Sequence, residues 1–284
     1  MGIGSSLQQP FAQHALLAST IVALTCGLMG PFVIMRRMSF AVHGMSELAF
    51  TGAAAGLLIA GNALAGALCG SLVVAGLIGL LGERESERDA SIGVILAGGL
   101  GLGVLLLSFY RGFATAATNI LFGDIFGVSS TQLLMLLVIG IAVVALVGSI
   151  YRPLFFASAD PEVAAARGVP EGLLSIVFLL VLALTVTEAA QIVGTLLVLS
   201  LVIAPAAAAR RLATSPLAIA LLSLFIALVA ADGGLLASLQ FGNIKPTVFV
   251  TGISFFVYIA ARIFGPSLMK RKNRSLNFER TVTS

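Results

Sequence analysis

The run TQLLMLLVIGIAVVALVGSI, from Thr131 to Ile150, decides the fold class of this chain. It carries no charge from end to end, and Tyr151 and Arg152 close it. At about 1.5 Å per residue, roughly 20 such residues form a helix as long as a bilayer's hydrocarbon core is thick. Comparable runs lie on both sides of it: Ala15 to Ile34, Ala41 to Ala60, Leu64 to Leu81, Ser91 to Tyr110, Glu171 to Val186, Gln191 to Ala209, Pro216 to Ala231 and Thr247 to Phe264. In lipid every backbone polar group must be paired within its own segment, so these runs predict an all-α, polytopic transmembrane helical bundle. About eight to nine spans are expected. The doubtful join is Glu171 to Ala209, too long for one span and interrupted only by Thr187-Glu188-Ala189-Ala190, with no Gly or Pro to mark a turn. Placing the turn there puts Glu188 and Gln191 at an extracytoplasmic loop.

Composition agrees. Of the 284 residues 59% are hydrophobic and 10% charged, with a mean hydropathy of +1.10, whereas a soluble domain is about a quarter charged. With Arg36 and Arg37 in the cytoplasm and sides alternating from there, only Arg111 and Lys245 of the 16 basic residues fall outside. That asymmetry predicts an outside N terminus and an inside C terminus. The expected organisation is one transmembrane domain over residues 1–268, with a basic cytoplasmic tail at 269–284. The net charge of +4 does not indicate nucleic acid, because the basic residues stand at segment ends and form no patch with interleaved aromatics. No Lys or Arg precedes the first run, so it lacks a signal peptide's basic start and is expected to remain. The opening Met1-Gly2-Ile3-Gly4-Ser5-Ser6 fits the loose myristoylation pattern, but a chain held by many spans gains little from one lipid. Cys26 and Cys69 lie in apolar runs without CxxC spacing and read as core residues.

Small residues recur as Gly52-xxx-Gly56, Gly66-xxx-Gly70 and Gly99-xxx-Gly103, a spacing that lets helices approach closely in lipid. Pro205 is expected to bend or break its helix. Three polar stretches interrupt the pattern. Gly82-Glu83-Arg84-Glu85-Ser86-Glu87-Arg88-Asp89 is a charged inside connector. The segment 151–170 contains Asp160 as an N-cap, Pro161 in the first turn, Glu162, alanines, and Gly168 as a stop, which specifies a short capped cytoplasmic helix on which an energising subunit could push. Arg111 to Ser130, carrying Asn119 and Asp124, is an outside stretch long enough to receive a delivery protein.

Ionisable groups inside a membrane are costly, so each is a functional candidate. His43 and Glu47 stand four residues apart on one helix face, with Ser39 one turn earlier and Ser46 beside them. An imidazole and a carboxylate suit zinc, manganese or ferrous iron, and two ligands need a second copy of the helix or other residues to complete a site. Alternatively, the pair neutralises itself inside the bundle without a metal. Glu188 and Gln191 are weaker pathway candidates. Asp232 is expected to be hydrated at the outer end of a span, and His14 to sit at the interface. None of the three lysines follows a glycine, so there is no phosphate-binding Gly-Lys loop, and energy must come from a partner or a gradient. A second histidine that would complete HExxH is also lacking, and no catalytic set is assigned, so an intramembrane enzyme is the weakest reading.

At these residues the chain resembles the membrane permease of bacterial zinc and manganese ABC importers, the ABC-3 family. Gly30-Pro31-Phe32-Val33-Ile34-Met35-Arg36-Arg37-Met38-Ser39 is similar to G-x-F-V-V-L-R-R-M-S. His43-Gly44-Met45-Ser46-Glu47 stands where the family has D-A-L-S-H, with nitrogen and oxygen ligands exchanged. Asp89-Ala90-Ser91-Ile92-Gly93 resembles D-T-A-I-G, and Asp160-Pro161-Glu162 with Gly168 resembles D-P-E-x-A-x-A-x-G, the segment that the resemblance implies contacts the ATPase. Gln191-Ile192-Val193-Gly194-Thr195-Leu196-Leu197-Val198 through Pro205 and Arg210 resembles Q-V-V-G-V-L-L-V and P-A-A-T-A-R. A family D-x-P becomes Ile244-Lys245-Pro246 after Asn243, so no ligand carries over there. The resemblance implies a homodimeric permease of the bacterial inner membrane that binds no permanent cofactor. Zinc or manganese would be its substrate, delivered by an extracytoplasmic metal-binding protein and driven by a cytoplasmic ATP-binding subunit. A permease for metal chelates and a gradient-driven metal carrier are the alternatives.

Overall fold

Pro10 fixes the backbone at the first turn of α1 (Pro10–Met35), whose missing N–H is no loss at that position. α1 ends at a tight joint in which Arg37 takes φ 53° and the Met38 N–H donates to the Val33 carbonyl at 2.9 Å. That left-handed cap turns the chain into α2 (Ser39–Ala60), which stops at Gly61 (φ 64°) before α3 (Ala63–Leu81). There follow α4 (Glu85–Ser108), α5 (Phe113–Phe122), a 3₁₀ turn at Ile125–Gly127, α6 (Ser130–Ala159), α7 (Pro161–Ala166) and α8 (Glu171–Val193). A 3₁₀ turn at Thr195–Leu197, α9 (Val198–Val202) and α10 (Ala204–Leu212) form one broken segment, and α11 (Pro216–Phe241) and α12 (Pro246–Val282) complete the chain. This is a computed structural model, and it describes residues 9–81, 85–111, 113–242 and 244–282. The opening hexapeptide, Gly82 to Arg84 of the charged connector, and Asn243 lie outside the described residues, as do the side chains of the basic tail. No strand occurs among the described residues.

Among the described residues, seven segments are long and apolar enough to cross a membrane: α1, α2, α6, α8, Thr195–Leu212, α11 and Pro246–Gly265. Ala63–Gly79 and Leu96–Ser108 are shorter apolar helices. Each of the nine expected runs therefore corresponds to a helical segment. The join inside Glu171–Ala209 is not at Thr187–Ala190, however. α8 runs unbroken through those residues, and the break falls at Gly194, whose φ of 81° and ψ of 156° only glycine adopts readily. Pro205 does interrupt the segment, starting α10 at its first turn after α9 ends.

Glycine spacing sets the packing around α2. A Cβ at Gly52 would fall on the carbonyl oxygen of Gly66, and one at Gly70 on that of Leu48, so α2 and α3 touch backbone to backbone. On the other side, Gly99 of α4 lies against Leu48, and Gly103 against the ring of Phe50. The Thr51 hydroxyl donates to the Gly99 carbonyl at 2.5 Å. α2 is thus gripped from two sides. α1 packs against α11, α6 and α8, and α8 lies against α3. Leu134, Val138 and Ile141 of α6 and Phe255 and Phe256 of α12 face outward, as lipid-facing surfaces do. Cys69, expected in the core, is also exposed, while Cys26 is buried. Because lipid is as apolar as a core, hydropathy alone does not distinguish the two environments.

Candidate metal pathway

α2 carries the polar face that the spacing predicts. Ser46 is fully buried and Glu47 is 5% exposed, while His43 and Ser39 are half-buried. Nδ1 of His43 and Oε2 of Glu47 are buried and have no hydrogen-bond partner. Each such atom costs about 1–3 kcal/mol in a dry interior, so a neutralised pair that satisfies itself does not account for both. Among the described residues no three His, Cys, Asp or Glu side chains converge, so one copy of the chain brings at most two such groups together at this point.

The next group on that face is Ser46, whose hydroxyl donates to the backbone carbonyl of Thr195. That carbonyl belongs to the 3₁₀ turn that follows the break at Gly194. The break is pinned by a second glycine: a Cβ on Gly194 would meet the backbone of Leu121, Phe122 and Gly123, and one on Gly123 (φ 76°) would meet the Ile192 carbonyl. Irregular backbone at membrane depth is tolerated where protein or a cavity satisfies it. Both are present here. A cavity of about 440 Å³ opens at the end of the bundle where α2, α5 and α8 finish and α6 begins, and Gln191 and Thr195 line it. Nearer the mouth it is bordered by Arg111, Asn119, Asp124 and Gln132. Asp124 accepts from the Asn119 amide at 3.2 Å and from the Gly127 N–H at 3.2 Å. Gln132 forms a reciprocal capping box with Ser129 at the start of α6.

Glu188 and Asp232 depart from expectation. Glu188 lies within α8, fully buried and with neither carboxyl oxygen paired, not at an extracytoplasmic turn. It sits beside Gly140 of α6, whose lack of a side chain makes room for Oε1, and near Thr25 of α1. It joins neither the His43 and Glu47 face nor the cavity lining. Its neighbour Thr187 instead pairs with the Ser71 hydroxyl of α3 at 2.6 Å. Asp232 is half-buried within α11, which continues to Phe241, and accepts from the Thr20 hydroxyl at 3.1 Å. His14 is half-buried near the start of α1.

At the opposite end the short helix forms as its sequence specifies. Asp160 accepts from the Val163 N–H at 3.1 Å, Pro161 begins α7, Glu162 lies in its first turn, and Gly168 takes φ 78° beyond it. Sequence reasoning missed the connection of this helix to the rest. Arg36, at the α1–α2 joint, donates from Nε to Ser158 at 3.0 Å and from Nη1 to Ser175 at 2.9 Å, and lies over the Phe178 ring at 5.2 Å. One guanidinium thereby ties the end of α6, the start of α8 and the joint leading into α2. The adjoining cavity of about 800 Å³ is lined by Arg36, Arg37, Ser158, Glu171 and Ser175.

Known proteins share the sequence and the fold over most of their length. The manganese transport system membrane protein MntC of Listeria monocytogenes is 30% identical over 261 residues, covering 92% of each chain. The high-affinity zinc uptake system membrane protein ZnuB of Haemophilus influenzae is 27% identical over 248 residues, covering 86% of this chain and 94% of that one. A chain of the solved structure of PsaBC from Streptococcus pneumoniae in complex with Fab superposes with a TM-score of 0.85 at 26% identity, covering 96% and 98% of the two chains. The ABC 3 transport family matches residues 8–265, nearly the whole of the described bundle, and this multi-pass membrane protein belongs to that family.

Proposed function

We propose that the chain is the membrane permease subunit of an ATP-driven importer for divalent metal ions, with zinc or manganese as substrate. The observation that carries this reading is the His43 and Glu47 pair, held on a membrane-embedded helix face with an unpaired nitrogen and an unpaired oxygen. Relatives named for manganese transport and for zinc uptake share the family and most of the length. One nitrogen and one oxygen donor form a borderline set that accepts either metal. Two copies related by a two-fold axis supply four ligands, which is why a homodimer is part of the proposal.

Direction follows from the two ends. An extracytoplasmic metal-binding protein delivers the ion to the cavity mouth near Asn119 and Asp124, and the ion descends past Gln191 and Thr195 to α2. At the other end a separate ATP-binding subunit presses on the Asp160–Gly168 segment. Arg36 carries that movement to the joint of α1 and α2 through Ser158 and Ser175. Pushing one element then shifts the helix that holds the metal ligands, as a rigid-body switch requires.

Uptake of radiolabelled manganese and zinc by cells carrying His43→Ala with Glu47→Ala tests the proposal. Uptake should fall to background while the protein remains in the membrane at normal abundance; normal uptake would remove these residues from the pathway.

A further inference from the structure

A groove of about 180 Å³ lies between α1, α6 and α11, at the end of the bundle that carries α7. Met35 places it there, since that residue borders both this groove and the cavity beside Arg36. One wall is aromatic: Phe32 meets Tyr151 edge-on at 5.5 Å, and Tyr151 stacks on Phe155 at 6.5 Å. Pro216, Ile219 and Ala220 of α11 form the facing side. Beside them Leu217, Leu221 and Phe225, four residues apart on one face of α11, are exposed. An exposed apolar stripe on a membrane span is a lipid-facing surface, so the groove lies at the edge of the hydrocarbon, where α11 begins. One charge borders it. Arg210, in the last turn of α10, is exposed and has no hydrogen bond or ion pair among the described residues. No acid is among the residues that line the groove, and the neighbouring Arg211 and Arg152 are exposed cations as well.

We infer that this groove is a site for an anionic phospholipid of the cytoplasmic leaflet, with its phosphate on the Arg210 guanidinium and part of one acyl chain along Phe32, Tyr151, Phe155 and Ile219. The site follows from the membrane placement of the bundle and stands apart from metal transport. A guanidinium fork matches two phosphate oxygens at once, and basic pockets between spans on the cytoplasmic side take anionic headgroups. A headgroup with net negative charge is favoured over a zwitterionic one, because no carboxylate on the wall receives a choline or ethanolamine cation. A free phosphate ion would satisfy Arg210 and leave the aromatic wall uncovered, whereas a phospholipid covers both.

The full-length protein, purified as its assembled transporter, is equilibrated in detergent with equimolar phosphatidylglycerol and phosphatidylcholine, and the retained lipids are counted by native mass spectrometry. The first lipid retained by wild type should be phosphatidylglycerol over phosphatidylcholine by about fivefold. Arg210→Gln should bring that ratio to about one, while Arg211→Gln, outside the groove, should leave it near wild type. Ala220→Phe keeps the charge and fills the groove, so retention of that first lipid should drop. An unchanged ratio in Arg210→Gln overturns the site. Equal losses in Arg210→Gln and Arg211→Gln overturn it too, by assigning the preference to the diffuse charge of this end. Undiminished retention in Ala220→Phe overturns the acyl-chain placement, and a wild-type assembly that retains no phosphatidylglycerol assigns the groove to a second copy or a partner subunit and overturns the site.

Discussion

Replacing Gly194 by alanine tests whether the helix break is the pivot of the pathway. The residue sits at φ 81° and ψ 156°, a region that side chains avoid at a cost of about 1–3 kcal/mol. A Cβ there also lands on the backbone of Leu121, Phe122 and Gly123, which are not flexible side-chain ends. Overpacking against such atoms costs about 1–3 kcal/mol more. The total is about 2–6 kcal/mol, a large part of the margin of a typical fold. Gly61→Ala is the matched control, since Gly61 has φ 64° but nothing within 4 Å of the added atom. It should lose only about 1–2 kcal/mol. Thermal unfolding of the purified protein in detergent reads the difference. At roughly 2 °C per kcal/mol, Gly194→Ala should melt about 4–12 °C below wild type and Gly61→Ala about 2–4 °C below. Uptake by Gly194→Ala should fall further than its stability explains, because the Thr195 carbonyl would move from Ser46. Equal melting of the two variants, with uptake intact, would refute the assignment of Gly194 as pivot.

Three other substitutions probe separate links. Arg36→Ala should lower metal uptake while ATP hydrolysis by the assembled transporter continues, since it removes two charge-assisted hydrogen bonds of about 1.5–3 kcal/mol each; Arg36→Lys should not restore coupling, because one ammonium lacks the guanidinium fork that reaches both serines. Asp160→Ala deletes an N-cap of about 1 kcal/mol from an exposed six-residue helix, so the melting temperature should barely move while the ratio of ions imported to ATP hydrolysed drops. Glu188→Met removes a buried carboxyl with no partner and should leave stability equal or higher and uptake normal, whereas lost uptake with normal abundance would place Glu188 in the pathway.

The parts legible in the sequence are those governed by short range. Run length gave the helical segments, and four-residue spacing put His43 and Glu47 on one face. Asp160, Pro161 and Gly168 specified α7 because capping is a local matter of backbone donors and dihedrals. The glycine pairs of α2, α3 and α4 were visible as spacing, although the sequence does not say which helix each one meets. Polarity at Thr187-Glu188 mimics the sign of a turn, yet α8 continues through it to Val193. Those polar groups are in fact buried against α3 and α6, and the signal that mattered was the single glycine at 194. Asp232 was misplaced for the same reason, its partner Thr20 being more than two hundred positions away. The Arg36 network joins three elements through two serines, neither of which differs locally from any other serine.

Anomalous scattering from crystals of the purified transporter, measured at the manganese and zinc absorption edges, tests the central claim most directly. The account predicts a peak within coordination distance of His43 and Glu47 from two copies of the chain. A metal bound elsewhere, with both residues out of reach of it, would contradict the account.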